Sequence, residues 1–351
     1  MATLDPEESI KAFLAQTIEE RGEEGDIIGP ATEIFGVSRQ TIHKYLADMI
    51  AEGILEATGR TRGRVYTLKP LVGLERFFDL HETPGEDVIW RNFFAEPMAI
   101  MPENIRGICT HGFTEMVNNA IEHSDGQVLR VGMRRTYASV RLWVGDDGVG
   151  IFKKIKEGLK LADEREAILE LATGKTTTDP GRHSGEGIFF TSRMFERFTL
   201  KADKLTLVHL SPEDEDDWLI QDSKPSEPSE PLPGTFVRMR ISSWSQRTAA
   251  QVFEKYTSRD SLGFARTHVP LRLLLVGEEN LISRSQAKRV LARFLKFKEV
   301  ILDFDGITQI GQGFADEIFR VFATEHPDIA LYPLRTNDQV ERMIKHVQQK
   351  E

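Results

Sequence analysis

The stretch Pro102–Ser124, PENIRGICTHGFTEMVNNAIEHS, constrains this chain more than any other. Ile105, Ile108, Cys109, Met116, Val117, Ala120 and Ile121 recur at three- and four-residue spacing, which predicts one helix with a buried apolar stripe. His111, Glu115, Asn118, Asn119 and Glu122 gather on another side. A solvated helix face usually mixes Lys, Arg and Glu, whereas here a carboxylate is followed one turn later by a carboxamide. In that setting Glu115 can accept a proton or orient water, and Asn119 can offer an oxygen to a divalent cation such as Mg²⁺. Taken alone, the helix can also be read as a solvated face with capping residues.

Two later stretches bear on that choice. Leu142–Ile151, LWVGDDGVGI, reads as a short apolar strand running into Asp146. A carboxylate at a strand end can accept a hydrogen bond from a base amino group. Gly148 and Gly150 remove the Cβ atoms that would hold backbone away from a flat ligand. Gly181–Phe190, GRHSGEGIFF, reads as a loop with Gly185 and Gly187 that opens into a helix continuing through Arg197. Backbone amides at a helix start form a seat for phosphate. Each glycine cluster alone could be a tight turn; the order and separation of the three stretches are far more selective.

Glu115-Met-Val-Asn-Asn119-Ala-Ile-Glu-His resembles the N box of the GHKL ATP-binding fold, shared by gyrase, heat-shock chaperone ATPases, sensor histidine kinases and mismatch-repair ATPases. Asp146-x-Gly148-x-Gly150 resembles its G1 box and Gly185-x-Gly187 its G2 box, where His183 replaces the first of three alternating glycines. The resemblance, over roughly Pro102 to Ile241, implies an α/β-sandwich that binds ATP and Mg²⁺. It implies Glu115 as general base, Asn119 as Mg²⁺ ligand, Asp146 on the adenine amino group, and Gly185 and Gly187 at the phosphates. It also makes Phe152–Pro180, with a helical run Glu164–Thr173, a lid over the phosphates; Lys175, Arg182 and His183 could contact the γ-phosphate. Gly174-Lys175-Thr176 is not a Walker A site, because the earlier glycine and a preceding strand are missing.

At 351 residues the chain has room for two or three domains. It contains no apolar run long enough to cross a bilayer, and the acidic opening MATLDPEESI lacks the pattern of a secretory signal. The single Cys109 lies on the apolar stripe and reads as a small core residue. A cytoplasmic protein is expected. Its net charge of −10 argues against nonspecific coating of nucleic acid, though not against a local basic surface.

The first seventy residues read as three helices and a hairpin. Residues 6–21 and Gly29–Gly36 are predicted helical, and Ser38 is a good N-cap for a third helix. There Ile42, Tyr45, Leu46 and Met49 point inward and Arg39, Gln40, Thr41 and Lys44 outward. Two β-like runs around Leu55 and Val65–Leu68 flank a loop bearing Arg60, Arg62 and Arg64. The order resembles a winged helix-turn-helix domain. That resemblance implies double-stranded DNA as a partner, with Arg39, Gln40 and Lys44 on the reading helix and Arg60, Arg62 and Arg64 on the wing. Winged helices also serve as dimerisation or protein-docking modules, so a homodimer or a protein partner is the alternative.

Residues 71–101 read as an aromatic-rich connector packing on the ATP-binding unit, with a helix beginning over Glu86–Phe94. Thr199–Leu210 and Gly234–Ile241 read as closing strands, with a short strand at Trp218–Ile220 inside an acidic Pro/Ser-rich loop. Beyond them, strand-like Arg272–Val276, helical Ser283–Phe297, strand Glu299–Phe304, helical Gly313–Thr324, strand Ile329–Tyr332 and helical Asp338–Val347 predict a small sheet covered by helices. The segment Val300–Glu317 resembles a STAS-like domain of unknown function. Anti-sigma-factor antagonists, its better-known relatives, carry a phosphoacceptor serine where this chain has Gln312 and Gly313.

The expected class is therefore α/β multidomain: 1–70 winged helix-turn-helix, 71–101 connector, 102–243 GHKL ATP-binding domain and 244–351 STAS-like domain. Two functions follow from the resemblances. One is a nucleotide-dependent DNA-binding regulator with slow or no hydrolysis. The other is a protein kinase of a partner-switching circuit, with the winged helix as docking module.

Overall fold

The computed structural model describes residues 5–21, 26–59, 64–176, 185–211, 217–222, 233–257, 264–275 and 280–349. It is a mixed α/β, multidomain chain. The N-terminal unit holds α1 (Pro6–Arg21), α2 (Ile28–Phe35), α3 (Arg39–Ala51) and an antiparallel hairpin of β1 (Leu55–Thr58) and β2 (Val65–Leu68). Gly36 ends α2 at φ 64°, and the Thr41 amide donates to Ser38 Oγ at 3.1 Å to start α3. Leu14, Ala31, Ile42, Leu46, Met49 and Leu55 form its core. Arg39, Gln40, Lys44 and Arg64 are exposed, while Arg60 and Arg62 lie outside the described residues.

A seven-stranded sheet forms the centre. Its strands are β3 (Val72–Asp79), β4 (Val128–Arg135), β5 (Ser139–Asp146), β6 (Arg197–Ala202), β7 (Leu205–Leu210), β8 (Asp217–Asp222) and β9 (Thr235–Ser242), in the order β3-β4-β5-β9-β6-β7-β8 with every neighbouring pair antiparallel. The connector thus supplies an edge strand. Val72, Leu74 and Phe78 of β3 pack toward the core while Glu75 and Phe77 alternate onto the other face. After β3 come α4 (Glu86–Ile89), a π-helical turn Trp90–Phe94 and α5 (Ala95–Met98).

One face of the sheet is covered by α6 (Glu103–His123) and α9 (Gly187–Met194), flanked by α7 (Ile151–Leu159), α8 (Glu164–Thr173) and α10 (Ala249–Tyr256). The α6 stripe is buried as its periodicity requires, with Ile105, Ile108, Cys109, Phe113 and Val117 fully inside. Burial raises the Cys109 thiol well above its ordinary value, which keeps it protonated. The helix expected to continue through Arg197 instead stops at Met194. Phe195 turns extended and packs its ring at Gly112 of α6, where a Cβ would come within 2.4 Å of it, and β6 begins two residues later.

The N-terminal unit docks on one end of this sheet. Glu19 of α1, with 4% of its side chain exposed, sits 3.0 Å from both Arg141 of β5 and Arg240 of β9, and Ser139 Oγ donates to it at 2.8 Å. Ala138, in the β4–β5 turn, joins the N-terminal core.

The C-terminal unit has a parallel sheet β10-β11-β12, formed by Arg266–Pro270, Glu299–Asp303 and Ala330–Leu334. Helices α11 (Arg284–Phe294), α12 (Gln312–Asp316), the π-helical turn Glu317–Phe322, α13 (Ala323–Glu325) and α14 (Asp338–Gln348) complete it. The strand expected at Arg272–Val276 lies earlier; Leu271–Leu274 is a 3₁₀ turn, and Val276 is outside the described residues. Pro270 lacks the amide that would extend the ladder, and Thr267 and His268 are polar residues buried in the true strand.

At the carboxyl end of β11, Asp303 is buried, which by itself would raise its pKa. His268, Arg335 and the Asp305 amide bind the carboxylate and hold it below the aspartate range. A depressed carboxylate contributes stability that is present above its unfolded pKa and lost as pH falls through the folded one. Acid unfolding of the C-terminal unit should therefore begin below about pH 4. Asp303→Asn should remove that pH dependence, as read by circular dichroism across an acid titration.

Candidate functional site

The end of β5, the middle of α6 and the start of α9 enclose one cavity of about 330 Å³. Glu115, Asn119, Asp146, Gly150, Gly185 and Gly187 all line it. These six came from three segments far apart in sequence, and the antiparallel sheet with α6 across its face brings them together. Apolar walls come from Val144, Leu171, Leu200 and Val237. A flat group can therefore be buried between them while its polar edge meets Asp146.

Asp146 is 4% exposed. The amides of Gly148 (2.9 Å) and Thr235 (3.1 Å) both donate to its Oδ1, which fixes the rotation of the carboxylate. Burial raises its pKa, opposed by those two amides. Gly148 does not line the cavity. Its role is close approach: a Cβ there would sit 1.9 Å from the Ser124 carbonyl, which accepts the Val149 amide at 2.9 Å. The contact joins the end of α6 to the turn after β5, so Gly148 sets the cavity's shape from behind.

Gly187, at the first turn of α9, faces Glu115. A Cβ on it would lie 2.1 Å from Glu115 Oε2, so glycine is what lets the carboxylate reach that helix start. The Gly185 carbonyl accepts the Thr176 amide at 3.1 Å, which holds these two cavity-lining residues together. Asn119 Nδ2 is buried and, among the described residues, has no hydrogen-bond partner. A buried amide donor left unmet on a cavity wall is costly unless a ligand acceptor meets it. Among the described residues no group of three His, Cys, Asp or Glu side chains is arranged to hold a metal.

One expected phosphate contact comes out differently. Lys175 does not line the cavity; its Nζ donates to the Lys296 carbonyl at 2.9 Å and lies over the rings of Phe264 and Phe297. Packing of the C-terminal unit against the end of α8 draws it away. His183 falls outside the described residues, as does Arg182. His111 is also off the cavity wall and packs edge-on against Phe253, with burial lowering its pKa against the opposing pull of Glu115.

The sequence reading missed Lys154, Ser124 and Thr235, all on the cavity wall. Lys154 pairs with Asp125 at 2.7 Å, and a basic residue in the first turn after Gly150 was the available signal. Thr235 had none: it binds Asp146 and the Ile151 amide from 89 and 84 residues away.

The C-terminal unit grips the segment bordering this cavity. Arg293 pairs with Glu170 of α8 at 2.7 Å, Thr267 Oγ1 donates to the Thr173 carbonyl at 2.6 Å, and Phe264 packs against Phe189 and Phe190 of α9.

A family model for the STAS-like domain of unknown function (DUF4325) matches residues 286–341, from within α11 into α14. The C-terminal unit therefore contains a STAS-like domain. No curated protein matches the chain. No described helix is long and apolar enough to cross a membrane.

Proposed function

We propose that the chain is a cytoplasmic, Mg-ATP-binding regulator of the GHKL type whose nucleotide state controls how a winged-helix unit holds double-stranded DNA. The observation that carries the nucleotide reading is the meeting of Glu115, Asn119, Asp146 and Gly187 in one cavity with apolar walls. Asp146, locked by two backbone amides, is placed to accept from the amino edge of a purine. The unmet Asn119 amide suits a triphosphate and its cation; turned about, the same amide offers its oxygen to Mg²⁺. The cation would take its remaining ligands from phosphate and water and neutralise charge on the phosphates. Glu115, one turn before Asn119, is the base that would orient an attacking water.

Glu115→Gln should keep ATP affinity within about twofold and lower turnover by about 100-fold or more, since it removes only the proton acceptor. Equal phosphate release from both proteins would take Glu115 out of the chemistry.

Support for the DNA reading comes from the exposed Arg39, Gln40 and Lys44 on a capped α3 beside an antiparallel hairpin. The link to nucleotide is β5 itself: Ser139 at one end binds Glu19 of α1, and Asp146 at the other lines the cavity. Lys44→Ala with Arg64→Ala should weaken binding to duplex genomic fragments by about tenfold and flatten its salt dependence by about two units of log–log slope. An unchanged slope would mean that neither residue meets phosphate.

The STAS-like unit's hold on α8 favours a second reading, a protein kinase of a partner-switching circuit. ATP labelled at the γ position separates the two: label on protein means kinase, and free phosphate or none means regulator.

A further inference from the structure

The face of the seven-stranded sheet opposite α6 carries an arrangement that the nucleotide cavity does not use and that the docking of α1 uses only at its centre. Strand register places Arg134 opposite Arg141, Arg141 opposite Arg240, and Arg240 opposite Arg197, so four arginines form one row across β4, β5, β9 and β6. Neighbouring strands lie about 4.8 Å apart, and like charges directly opposite one another destabilise a sheet. Glu19 bridges the two central arginines and Glu20 approaches Arg240 at 3.8 Å, which still leaves the row net positive. Burial, and then the neighbouring arginines, lower the pKa of Arg197; Arg141 is lowered likewise against the pull of Glu19. In a chain of net charge −10 this is a local concentration of cations.

The two adjoining rows add Arg238, Lys201 and Arg130, the last paired with Glu75 of β3 at 2.8 Å, together with three rings, Phe77, Trp143 and Phe236. Trp143 lies across Gly132, where a Cβ would come within 2.1 Å of the indole, and Phe236 lies across Gly145, where the clearance would be 2.7 Å. Glycine on the neighbouring strand thus lets each ring lie flat on the sheet. Phe77 is 58% exposed at the edge. The Arg130 guanidinium lies 5.7 Å from the centre of Phe77 and 5.9 Å from that of Phe236.

We propose that this face binds single-stranded nucleic acid, with phosphates at Arg134 and Arg197, the exposed arginines on either side of the Glu19-bound pair, and bases against Phe77, Trp143 and Phe236. Flat rings interleaved with guanidinium groups on a sheet suit unpaired bases, which can stack, while a duplex keeps its bases inside and needs an element that enters a groove. An acidic peptide would satisfy the arginine row and leave the rings unused. The inference does not depend on ATP binding, so either can fail alone.

The test is fluorescence anisotropy of the full chain with labelled oligothymidine and oligouridine of about 20 nucleotides at low salt. The expected result is saturable binding that weakens steeply with salt. Arg134→Ser with Arg197→Ser should lower affinity at least about tenfold, and Phe77→Ala about threefold or more. The arginine variant should melt no earlier than the native chain, because it relieves like-charge pairs. The proposal is overturned if neither oligomer binds, if the arginine variant binds as well as the native chain, or if it melts earlier. It is overturned equally if polyglutamate of the same length competes as well as the oligomer.

Discussion

Replacing Asp146 by asparagine is expected to lower ATP affinity by about 100-fold while leaving the fold intact. The side chains are nearly the same shape, and the Gly148 and Thr235 amides can still donate to the carboxamide oxygen as they do to Oδ1. What changes is the other half of the group. A carboxylate accepts from an amino hydrogen, whereas the amide nitrogen presents a second donor to it and strands both in a buried site. A lost charged hydrogen bond of about 1.5–3 kcal/mol corresponds to about 10- to 150-fold, and the opposed donors place the result at the upper end. Removal of a buried carboxylate whose pKa burial has raised also takes away a desolvation cost, so the variant should melt no earlier than the native chain. Equilibrium titration with a fluorescent ATP analogue, beside a thermal melt, checks both halves.

Gly148→Ala should have the larger effect on stability. Its Cβ would meet the Ser124 carbonyl oxygen at 1.9 Å and the carbonyl carbon at 2.6 Å, both backbone atoms that no side-chain rotation can move. Relief requires the end of α6 to part from the turn after β5, which also breaks the Val149 amide bond to Ser124. A cost of about 3 kcal/mol is expected, with the thermal midpoint falling by about 5–10 °C. Gly107→Ala is the control, since that exposed glycine of α6 has nothing within 4 Å of a built Cβ and should gain about 0.5–1 kcal/mol from helix propensity. If Gly148→Ala melts with the native chain, the close approach is not part of the working structure.

What was legible in the sequence follows physical lines. The α6 stripe and its polar face were readable because both repeat at helical spacing within one segment. Asp146 and the glycines were readable because a carboxylate ending an apolar strand is unusual and local. Thr235 was not, since it reaches Asp146 only after β9 inserts between β5 and β6 in the sheet. The direction of Lys175 was equally hidden, because it is set by Lys296 and Phe297 of a different unit. Strand β3 passed as connector because an edge strand half exposed to solvent shows weak alternation, and β10 was displaced because its buried positions include Thr267 and His268. The arginine row is invisible along the chain: its four members lie on four strands, and only the register lines them up.

The central claim is that the cavity between α6, β5 and α9 holds an adenine nucleotide with its cation. Calorimetric titration of the full chain with ATP and Mg²⁺ tests it most directly. One saturable site per chain that is weakened about 100-fold in Asp146→Asn is the predicted result, and a flat trace up to about millimolar ATP would contradict it.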